Sequence, residues 1–236
     1  MNLVAILAGG VGRRMNGGVL PKQFIKVKGV PIIITTLKKC LNVKKIDIIY
    51  IAIHPSYKDY LLELIQTYDI KNDKIKIVNG GKERLNSIEN VINDIYMNFE
   101  IKKDDVILIH DAVRPFVSEK LLERCIEQTV IYGATVPVVS AVDTMYIVEN
   151  GILTAMPDRR TLYSGQTPDS FRIPLLKSAL DSLTSEEREF ITGTAQICML
   201  KGIEVHTVEG DSKNIKLTTT RDLMVAEKFF EEETNE

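Results

Sequence analysis

Short runs of β-branched residues alternate along this chain with longer segments in which apolar residues recur at helical spacing. Strand-like runs occur at residues 3–7, 46–53, 74–78, 106–109 and 133–139, and helical patterns at residues 57–68, 84–96 and 119–129. Ser118 precedes the last of these helices and is expected to cap it. The alternation predicts right-handed βαβ units, and therefore an α/β fold with a mostly parallel sheet between two layers of helices.

The alternation stops after Asp143. Residues 144–148 and 152–155 are strand-like and flank Asn150-Gly151, a pair typical of a two-residue hairpin turn. We therefore predict an antiparallel arm over residues 143–163 that leaves the main sheet, within a single domain of residues 1–236. Because an arm of this length on a small domain often packs against a second subunit, a homodimer is expected.

The last part of the chain returns to recognisable elements. Thr184-Ser185-Glu186-Glu187 has the pattern of a capping box and opens a further helix. Residues 205–208 and 214–218 are strand-like, and residues 221–231 form the last predicted helix. The acidic tail that follows, residues 231–236, is expected to be frayed and solvated.

The overall composition is that of an ordinary globular protein. Hydrophobic residues make up 44% and charged residues 26% of the 236 residues, and the net charge is −2. This balance gives no general attraction to nucleic acid or to an anionic membrane, so neither is an expected partner. Three widely spaced cysteines and the lack of a leader or of a membrane-length apolar run indicate a cytoplasmic protein with free thiols. The three histidines are scattered, which argues against a zinc site.

Positive charge is concentrated at the start of the chain. The first 46 residues contain nine Lys or Arg and no Asp or Glu, and they include Leu7-Ala8-Gly9-Gly10-Val11-Gly12-Arg13-Arg14-Met15 followed by Pro21-Lys22-Gln23. Glycines let a backbone approach a ligand closely, and the cations supply fixed positive charge, so this loop after the first strand suits a polyphosphate. A tight connection without a ligand is the simpler alternative. A dinucleotide fold needs a third glycine and an acid about 20 residues further on, and a P-loop needs Gly-Lys-Ser/Thr; none of these is present.

Three further segments fall where strands end. Residues 80–87, Gly-Gly-Lys-Glu-Arg-Leu-Asn-Ser, open a helix and could hold a base or ribose, or could be a plain capped turn. Residues 110–115, His-Asp-Ala-Val-Arg-Pro, place an Asp and an Arg at a strand end, which favours sugar hydroxyls, metal or phosphate. Asn214-Ile215-Lys216 puts a lone lysine in an apolar strand, where an exposed position is the ordinary explanation. Ligands of open α/β sheets collect at the carboxyl ends of the strands, so these segments are expected to converge.

The ordered set of these motifs extends over nearly the whole chain. It comprises the glycine loop of residues 8–15, Pro21-Lys22-Gln23, Gly80-Gly81 through Ser87, His110-Asp111-Ala112-x-Arg114-Pro115, Asp143-Thr144, Gln166-Thr167-Pro168 and Asn214-Ile215-Lys216. This set resembles the cytidylyltransferases that act on methylerythritol phosphate and ribitol phosphate. The resemblance implies a three-layer, mostly parallel Rossmann-like nucleotidyltransferase sheet with a protruding antiparallel β-arm.

The resemblance also implies a reaction, in which a polyol phosphate attacks the α-phosphorus of CTP and releases pyrophosphate. Such chemistry is carried by positioning and by neutralisation of charge. Arg14 and Lys22 would stabilise the transition state, and Arg159 and Lys216 would clamp the acceptor phosphate, with Arg159 serving the neighbouring subunit's site. The implied CTP shell is Leu7, Ala8, Gly9, Gly10, Gly81, Ser87, Asp111 and Ala112, and the acceptor contacts are Arg114, Thr144 and Thr167. Asp111 would meet the ribose or Mg²⁺, which would bridge the CTP phosphates largely without a protein cage.

Details of the motifs favour the ribitol branch of this family, and hence CDP-ribitol for teichoic acid or capsule. Gly165-Gln166-Thr167-Pro168-x-Ser170-Phe171 resembles that branch, and Lys213 stands where methylerythritol enzymes usually carry an Asp. Gly193 replaces an Asp common to both branches. The methylerythritol enzyme of isoprenoid synthesis is the nearest alternative. A nucleotide-sensing module without activity is a further one, disfavoured by the number of convergent cations, and an NAD-dependent oxidoreductase is opposed by the missing acid.

Overall fold

The computed structural model describes residues 1–10, 20–71 and 73–235. The strands are β1 (Asn2–Ala8), β2 (Lys26–Val27), β3 (Val30–Pro31), β4 (Ile48–Ile53), β5 (Ile75–Asn79), β6 (Val106–Asp111), β7 (Ala134–Ser140), β8 (Ile147–Glu149), β9 (Ile152–Ala155), β10 (Tyr163–Gly165), β11 (Asp169–Arg172) and β12 (His206–Glu209). The helices are α1 (Ile32–Asn42), α2 (Lys58–Thr67), α3 (Arg84–Asn98), α4 (Glu119–Tyr132), α5 (Ile173–Asp181), α6 (Ser185–Phe190), α7 (Thr194–Leu200) and α8 (Thr220–Asn235).

Eight of the described strands form the main sheet. Seven of them are hydrogen-bonded in the order β10-β7-β11-β6-β1-β4-β5, and β12 also pairs with β7. Strands β5, β4, β1 and β6 are parallel neighbours, and β12 is parallel to β7. Strand β11 runs antiparallel between β6 and β7, and β10 is also antiparallel to β7. The predicted parallel sheet is confirmed, and the antiparallel β11 is an insertion that the sequence pattern did not indicate.

Helices cover both faces of the sheet, and the alternation along β1 shows the division. Val4 and Ile6 pack into a core formed with α1, α2 and α4, whereas Leu3 and Ala5 pack into a second core formed with α3, α5 and α7. Because both faces of the central strands are buried, these strands are mainly apolar, with His110 and Asp111 at the end of β6 as buried exceptions. This is the predicted three-layer arrangement.

The order in which strands are added to the sheet reverses at β1. Strands β4 and β5 extend to one side of β1, and β6 pairs with its other side. The carboxyl ends of β1 and β6 are joined where the Ala112 amide donates to the Leu7 carbonyl oxygen at 3.2 Å. In open α/β sheets such a reversal of strand order opens a crevice at the strand ends, and ligands bind there.

Local predictions agree with the structure in most places. Ser118 caps α4 through a bond from the Leu121 amide, and Thr184 and Glu187 form the predicted capping box of α6. Residues 214–218 are not a strand, which corrects the prediction. The Asn214 side chain donates to the Thr167 carbonyl at 2.9 Å and the Leu217 amide to that of Val113, so isolated bonds replace a ladder. Helices α1, α5 and α7 were not among the predicted elements.

The end of the chain is more ordered than predicted. Helix α8 continues to Asn235, and its Glu231 and Glu232 pair with Lys28 at 2.7 Å and Lys213 at 2.9 Å. On the inner side, Phe116 packs against Phe229 and other aromatic and aliphatic groups of a small third core. The expectation of a frayed tail from residue 231 is therefore wrong for the first two glutamates.

The arm of residues 143–163 contains the predicted hairpin. Strands β8 and β9 pair antiparallel as a separate two-stranded sheet, and Asn150 and Gly151 both have positive φ (51° and 79°), as a tight hairpin turn requires. Large apolar side chains of the arm are exposed, among them Ile152 at 68% and Met156 at 67%. Among the described helices, none combines the length and apolarity that crossing a bilayer would require.

Candidate active site

A cleft opens where β1 and β6 end, bounded by the loops that follow the strands and by the start of α3. Its volume, as enclosed by the described residues, is about 250 Å³. The lining residues are Leu7, Ala8, Gly9, Gly10, Lys22, Gln23, Gly81, Lys82, Glu83, Arg84, Ser87, Asp111, Ala112, Val113 and Lys216. We call this the main cleft.

Close backbone contact forms one wall of the main cleft. A Cβ atom at Gly80 would lie 3.0 Å from the Cα of Gly9 and 3.2 Å from the carbonyl carbon of Ile53, so only glycine fits there without a shift. A Cβ atom at Gly10, in contrast, would meet none of the described residues within 4 Å. Gly9 and Gly80 thus let their two loops come into contact, whereas Gly10 has no such neighbour among the described residues.

Two buried side chains fix these loops. The Gln23 amide nitrogen donates to the carbonyl oxygens of Ala8 at 2.7 Å and Gly10 at 3.1 Å, which ties the glycine loop to the Pro-Lys-Gln segment. The Ser87 hydroxyl oxygen accepts from the Gly81 amide at 3.0 Å. Both side chains are nearly inaccessible to solvent, so they set the shape of the cleft before any ligand enters.

Asp111 is the electrostatic centre of the site. Its carboxylate accepts a hydrogen bond from the Arg84 guanidinium at one oxygen, and its other oxygen pairs with the Lys216 ammonium at 2.8 Å. Burial favours the neutral acid, but Arg84 and Lys216 outweigh it and hold the pKa of Asp111 well below its usual range. Asp111 is therefore an anion that aligns two cations at the mouth of the cleft.

His110, just before Asp111, is fully buried and has a supporting role. One ring nitrogen lies 3.1 Å from the Arg114 carbonyl oxygen and the other 3.1 Å from the Thr167 hydroxyl. Burial lowers the pKa of His110 to about 4, so the ring is neutral near pH 7. The Thr167 hydroxyl also accepts from the Asp111 amide at 3.1 Å, which links the end of β6 to the segment before β11.

A second groove adjoins the main cleft and shares Arg84, Asp111 and Lys216 with it. We call it the side groove; its lining residues are Arg84, Asp111, Arg114, Val136, Gly165, Gln166, Thr167, Asp169, Thr192, Gly193, Ala195 and Lys216. Arg114 is held there by donating to the Asn214 carbonyl oxygen at 2.7 Å, and its buried Nε atom has no hydrogen-bond partner among the described residues. That nitrogen lies 3.9 Å from a carboxylate oxygen of Asp111.

The structure brings most of the predicted site residues together. The main cleft contains Leu7, Ala8, Gly9, Gly10, Lys22, Gly81, Ser87, Asp111, Ala112 and Lys216, and the side groove contains Arg114 and Thr167. Arg14 lies outside the described residues. Thr144 and Arg159 belong to the arm and line neither pocket; the Arg159 guanidinium donates to the Val142 carbonyl at 2.9 Å. The role predicted for Arg159 involves a second subunit, whereas Thr144 was predicted as an acceptor contact and lines neither pocket.

Gln23, Arg84 and Asp169 are among the lining residues of the two pockets that were not predicted as site residues. Arg84 and Gln23 lie inside motifs that were recognised, so their neighbours in sequence carried a signal. Asp169 is the unassigned position of the recognised segment of residues 165–171, and it reaches the side groove because β11 inserts between β6 and β7. Lys213, in contrast, was expected in the acceptor pocket. Its ammonium pairs with Glu232 and lies over the Phe229 ring, and Lys213 lines neither of the two pockets formed by the described residues.

The described residues contain no group of three or more His, Cys, Asp or Glu side chains that could hold a metal. Asp111 is the acid shared by both pockets, and its two oxygens are already bound by Arg84 and Lys216. A divalent ion that reaches this site would therefore need most of its ligands from a phosphate-bearing substrate and from water.

The Rossmann-like sheet, the glycine-walled cleft at its switch point and the adjoining cationic groove together define a nucleotidyltransferase. Residues 2–232 match the family described as IspD, 2-C-methyl-D-erythritol 4-phosphate cytidylyltransferase, and the chain belongs to this family. It is therefore a CTP-dependent enzyme of the cytidylyltransferase class.

Solved structures agree with this assignment. The 2-C-methyl-D-erythritol 4-phosphate cytidylyltransferase of Francisella tularensis is 32% identical, with a TM-score of 0.79 over 95% of this chain and 97% of that one. The 4-diphosphocytidyl-2C-methyl-D-erythritol synthase of Anaerococcus prevotii (24% identity, TM-score 0.79, 98% and 96% covered) and the Thermus thermophilus cytidylyltransferase (24%, 0.73, 97% and 98%) share the fold.

These comparisons confirm the predicted family, fold and enzyme class. They do not confirm the ribitol branch, nor the teichoic acid and capsule context that followed from it. The names they carry are those of the alternative acceptor, 2-C-methyl-D-erythritol 4-phosphate.

Proposed function

We propose that this chain transfers CMP from CTP to 2-C-methyl-D-erythritol 4-phosphate. The observation that carries the proposal is a pair of adjoining pockets that share Arg84, Asp111 and Lys216. A nucleotide triphosphate in the main cleft and a phosphate in the side groove would meet at this shared boundary. The family match over residues 2–232 and the Francisella relative at 32% identity support this choice of acceptor.

In the proposed reaction an oxygen of the acceptor phosphate forms a bond to the α-phosphorus of CTP, and the bond from that phosphorus to the bridging oxygen breaks, so pyrophosphate leaves. No protein nucleophile is required. Lys22 and Lys216 neutralise charge that accumulates on the phosphoryl oxygens, and Arg114 holds the acceptor phosphate. Arg14 has the same proposed role as Lys22. The glycine loop and Ser87 bind the rest of the nucleotide.

Mg²⁺ is the proposed cofactor. The described residues fit an ion that is carried on the triphosphate, with Asp111 as the one carboxylate at the shared boundary. Such an ion supplies charge neutralisation along the phosphates. Asp111 aligns Arg84 and Lys216 in either case, because its pKa keeps it ionised at every pH at which the enzyme would be assayed.

D-Ribitol 5-phosphate is a second candidate acceptor. The observation in its favour is that position 213, where methylerythritol enzymes are expected to carry an Asp, has a lysine whose ammonium pairs with Glu232. The segment from Gly165 to Phe171, which resembles the ribitol branch, contributes Gln166 and Thr167 to the groove. A polar site rejects analogues that leave its groups unpaired, so the two acceptors should differ strongly in kcat/KM.

A homodimer completes the proposal. The exposed apolar side chains of the arm are the type of surface that a second subunit covers. Arg159 and Thr144 would then reach the side groove of the partner, which accounts for their absence from the pockets of their own chain.

The test is a measurement of pyrophosphate release with CTP and each of the two acceptors, with product identification. We expect turnover of 2-C-methyl-D-erythritol 4-phosphate with CTP, far less with ATP, GTP or UTP, and loss of activity when Mg²⁺ is chelated. Preferred turnover of D-ribitol 5-phosphate would select the second candidate. Equal turnover with ATP would contradict the choice of nucleotide, and no turnover with either acceptor would contradict the proposed function.

A further inference from the structure

Asp169 is a buried carboxylate of the side groove for which the reaction described above has no use. It is the first residue of β11 and is paired in register with Ile109 of β6. Its neighbour Phe171 packs into the core formed with α3, α5 and α7, so Asp169, two residues earlier, lies on the same face of the sheet. There it lines the side groove between Thr167 and the start of α7.

Asp169 and Asp111 are equally buried, each 6% exposed, yet their surroundings differ. Asp111 has a cation at hydrogen-bonding distance on each oxygen. Asp169 has the Arg84 guanidinium only at 3.9 Å, beyond hydrogen-bonding distance, because Arg84 is bound to Asp111. Burial raises the pKa of Asp169, and Arg84 and Thr194 offset this only in part. Thr194 hydrogen-bonds to Asp169, but a carboxylate has about four acceptor positions on its two oxygens, so Asp169 keeps acceptor capacity within the side groove.

The position of Asp169 in the groove indicates what would satisfy it. Arg114 and Lys216 supply the positive charge that suits a phosphate, and a carboxylate elsewhere in the same groove can only accept, so it suits hydroxyl groups. A polyol phosphate carries both groups in one molecule. The side groove has a volume of about 250 Å³, as enclosed by the described residues.

We propose that Asp169 is a specificity-determining residue that accepts a hydrogen bond from a hydroxyl group of the acceptor polyol. The proposal rests on the proposed function, since it needs a polyol phosphate in the side groove. It adds a residue of this chain's own groove, supplied by an inserted strand, to the cations that hold the phosphate.

The test compares Asp169→Asn with Asp181→Asn, a matched change at an exposed residue of α5 that pairs with Lys177. Both variants and the wild type are assayed with CTP and 2-C-methyl-D-erythritol 4-phosphate, D-ribitol 5-phosphate, and the monodeoxy analogues of whichever acceptor the wild type prefers. We expect Asp169→Asn to lower kcat/KM for the acceptor about 10- to 100-fold, the loss typical of a hydrogen bond to a charged group. The KM for CTP should change less than about 2-fold, because a residue outside the main cleft makes no contact with CTP. Asp181→Asn should match the wild type.

The monodeoxy analogues distinguish recognition from a structural effect. For one analogue, the kcat/KM of the wild type should fall by the same factor that Asp169→Asn loses with the full acceptor. With that analogue, Asp169→Asn should cause no further fall in kcat/KM. Asp169→Ala is measured in parallel and should give the same pattern. Equal losses with every analogue, or a rise in the KM for CTP as large as that for the acceptor, would overturn the proposal while leaving the proposed function intact. A wild-type enzyme that turns over no polyol phosphate would instead overturn both.

Discussion

The main cleft and the arm differ in how far a single chain completes them. The walls of the cleft are fixed by contacts within the chain: Gly9 against Gly80, Gln23 on the glycine loop, and Asp111 between two cations. The arm has a well-formed hairpin but exposes its apolar side chains, and its Arg159 lines neither the main cleft nor the side groove formed by the described residues. The described walls of the main cleft are thus shaped within one chain, and under the dimer proposed above a partner would complete the acceptor half.

The most severe test of the preformed half is Lys216→Met, which removes the ammonium shared by both pockets while keeping a long side chain. One lost charge-directed donor of this kind typically costs about 3 kcal/mol of barrier, so we expect kcat to fall about 100-fold or more. Lys213→Met is the matched control, because Lys213 pairs with Glu232 at the surface. Steady-state kinetics with both substrates would measure the effect, and similar kinetics for the two variants would contradict the assignment of Lys216.

The arm is tested by mixing subunits. Chains with Arg159→Ala and chains with Lys22→Ala should each be nearly inactive alone. If Arg159 acts on the partner's pocket, their mixed dimer keeps one intact site and regains activity. The control mixes wild-type chains with chains that carry both changes, which leaves no intact site in that dimer. Activity in the control dimer, with none in the dimer of the two single variants, would mean that Arg159 acts within its own chain. A fully active monomer in sedimentation would contradict the dimer itself.

The same division explains what the sequence could and could not predict. The cleft residues follow strands directly, and parallel strands bring their carboxyl ends together, so a glycine loop, Asp111 and Ser87 could be grouped from sequence order alone. The side groove depends on β11, which inserts antiparallel between β6 and β7. No local pattern encodes that pairing, so Asp169 was missed. Lys213 was placed in the pocket by its neighbours in sequence, but its ammonium turns to Glu232 on α8, a contact set by the packing of a distant helix.

His110 gives a pH-dependent test of the support beneath the cleft. In the unfolded chain a histidine takes up a proton near pH 6.5, whereas burial lowers the pKa of folded His110 to about 4. The unfolded state therefore binds more protons between these values, and the free energy of unfolding should fall as the pH drops from 7 to 4, by up to about 3 kcal/mol from this residue. Denaturant unfolding at several pH values would measure it. His110→Gln should flatten this dependence, while His206→Gln, at a more exposed site, should preserve it; an unchanged slope in His110→Gln would contradict the assignment.

The smallest expected effect concerns the contact between the two glycine loops. In Gly80→Ala the new Cβ would stand 3.0 Å from Gly9 and 3.2 Å from the Ile53 backbone, where neither neighbour is a flexible side chain. Overpacking of this kind typically costs about 1–3 kcal/mol, and for a chain of this size each kcal/mol lowers Tm by about 2–4 °C. Gly193→Ala is the control, because its Cβ would meet none of the described residues within 4 Å. The Tm of this variant should stay within about a degree of the wild-type value, or rise slightly because alanine makes the unfolded chain less flexible. Because the Gly80 contact also shapes the cleft, Gly80→Ala should raise the KM for CTP as well. Calorimetry and steady-state kinetics would be measured on both variants. If the cleft is preformed, Gly80→Ala should lower Tm and weaken CTP binding together. If the nucleotide must assemble the cleft, Gly80→Ala would alter the KM for CTP and leave Tm unchanged.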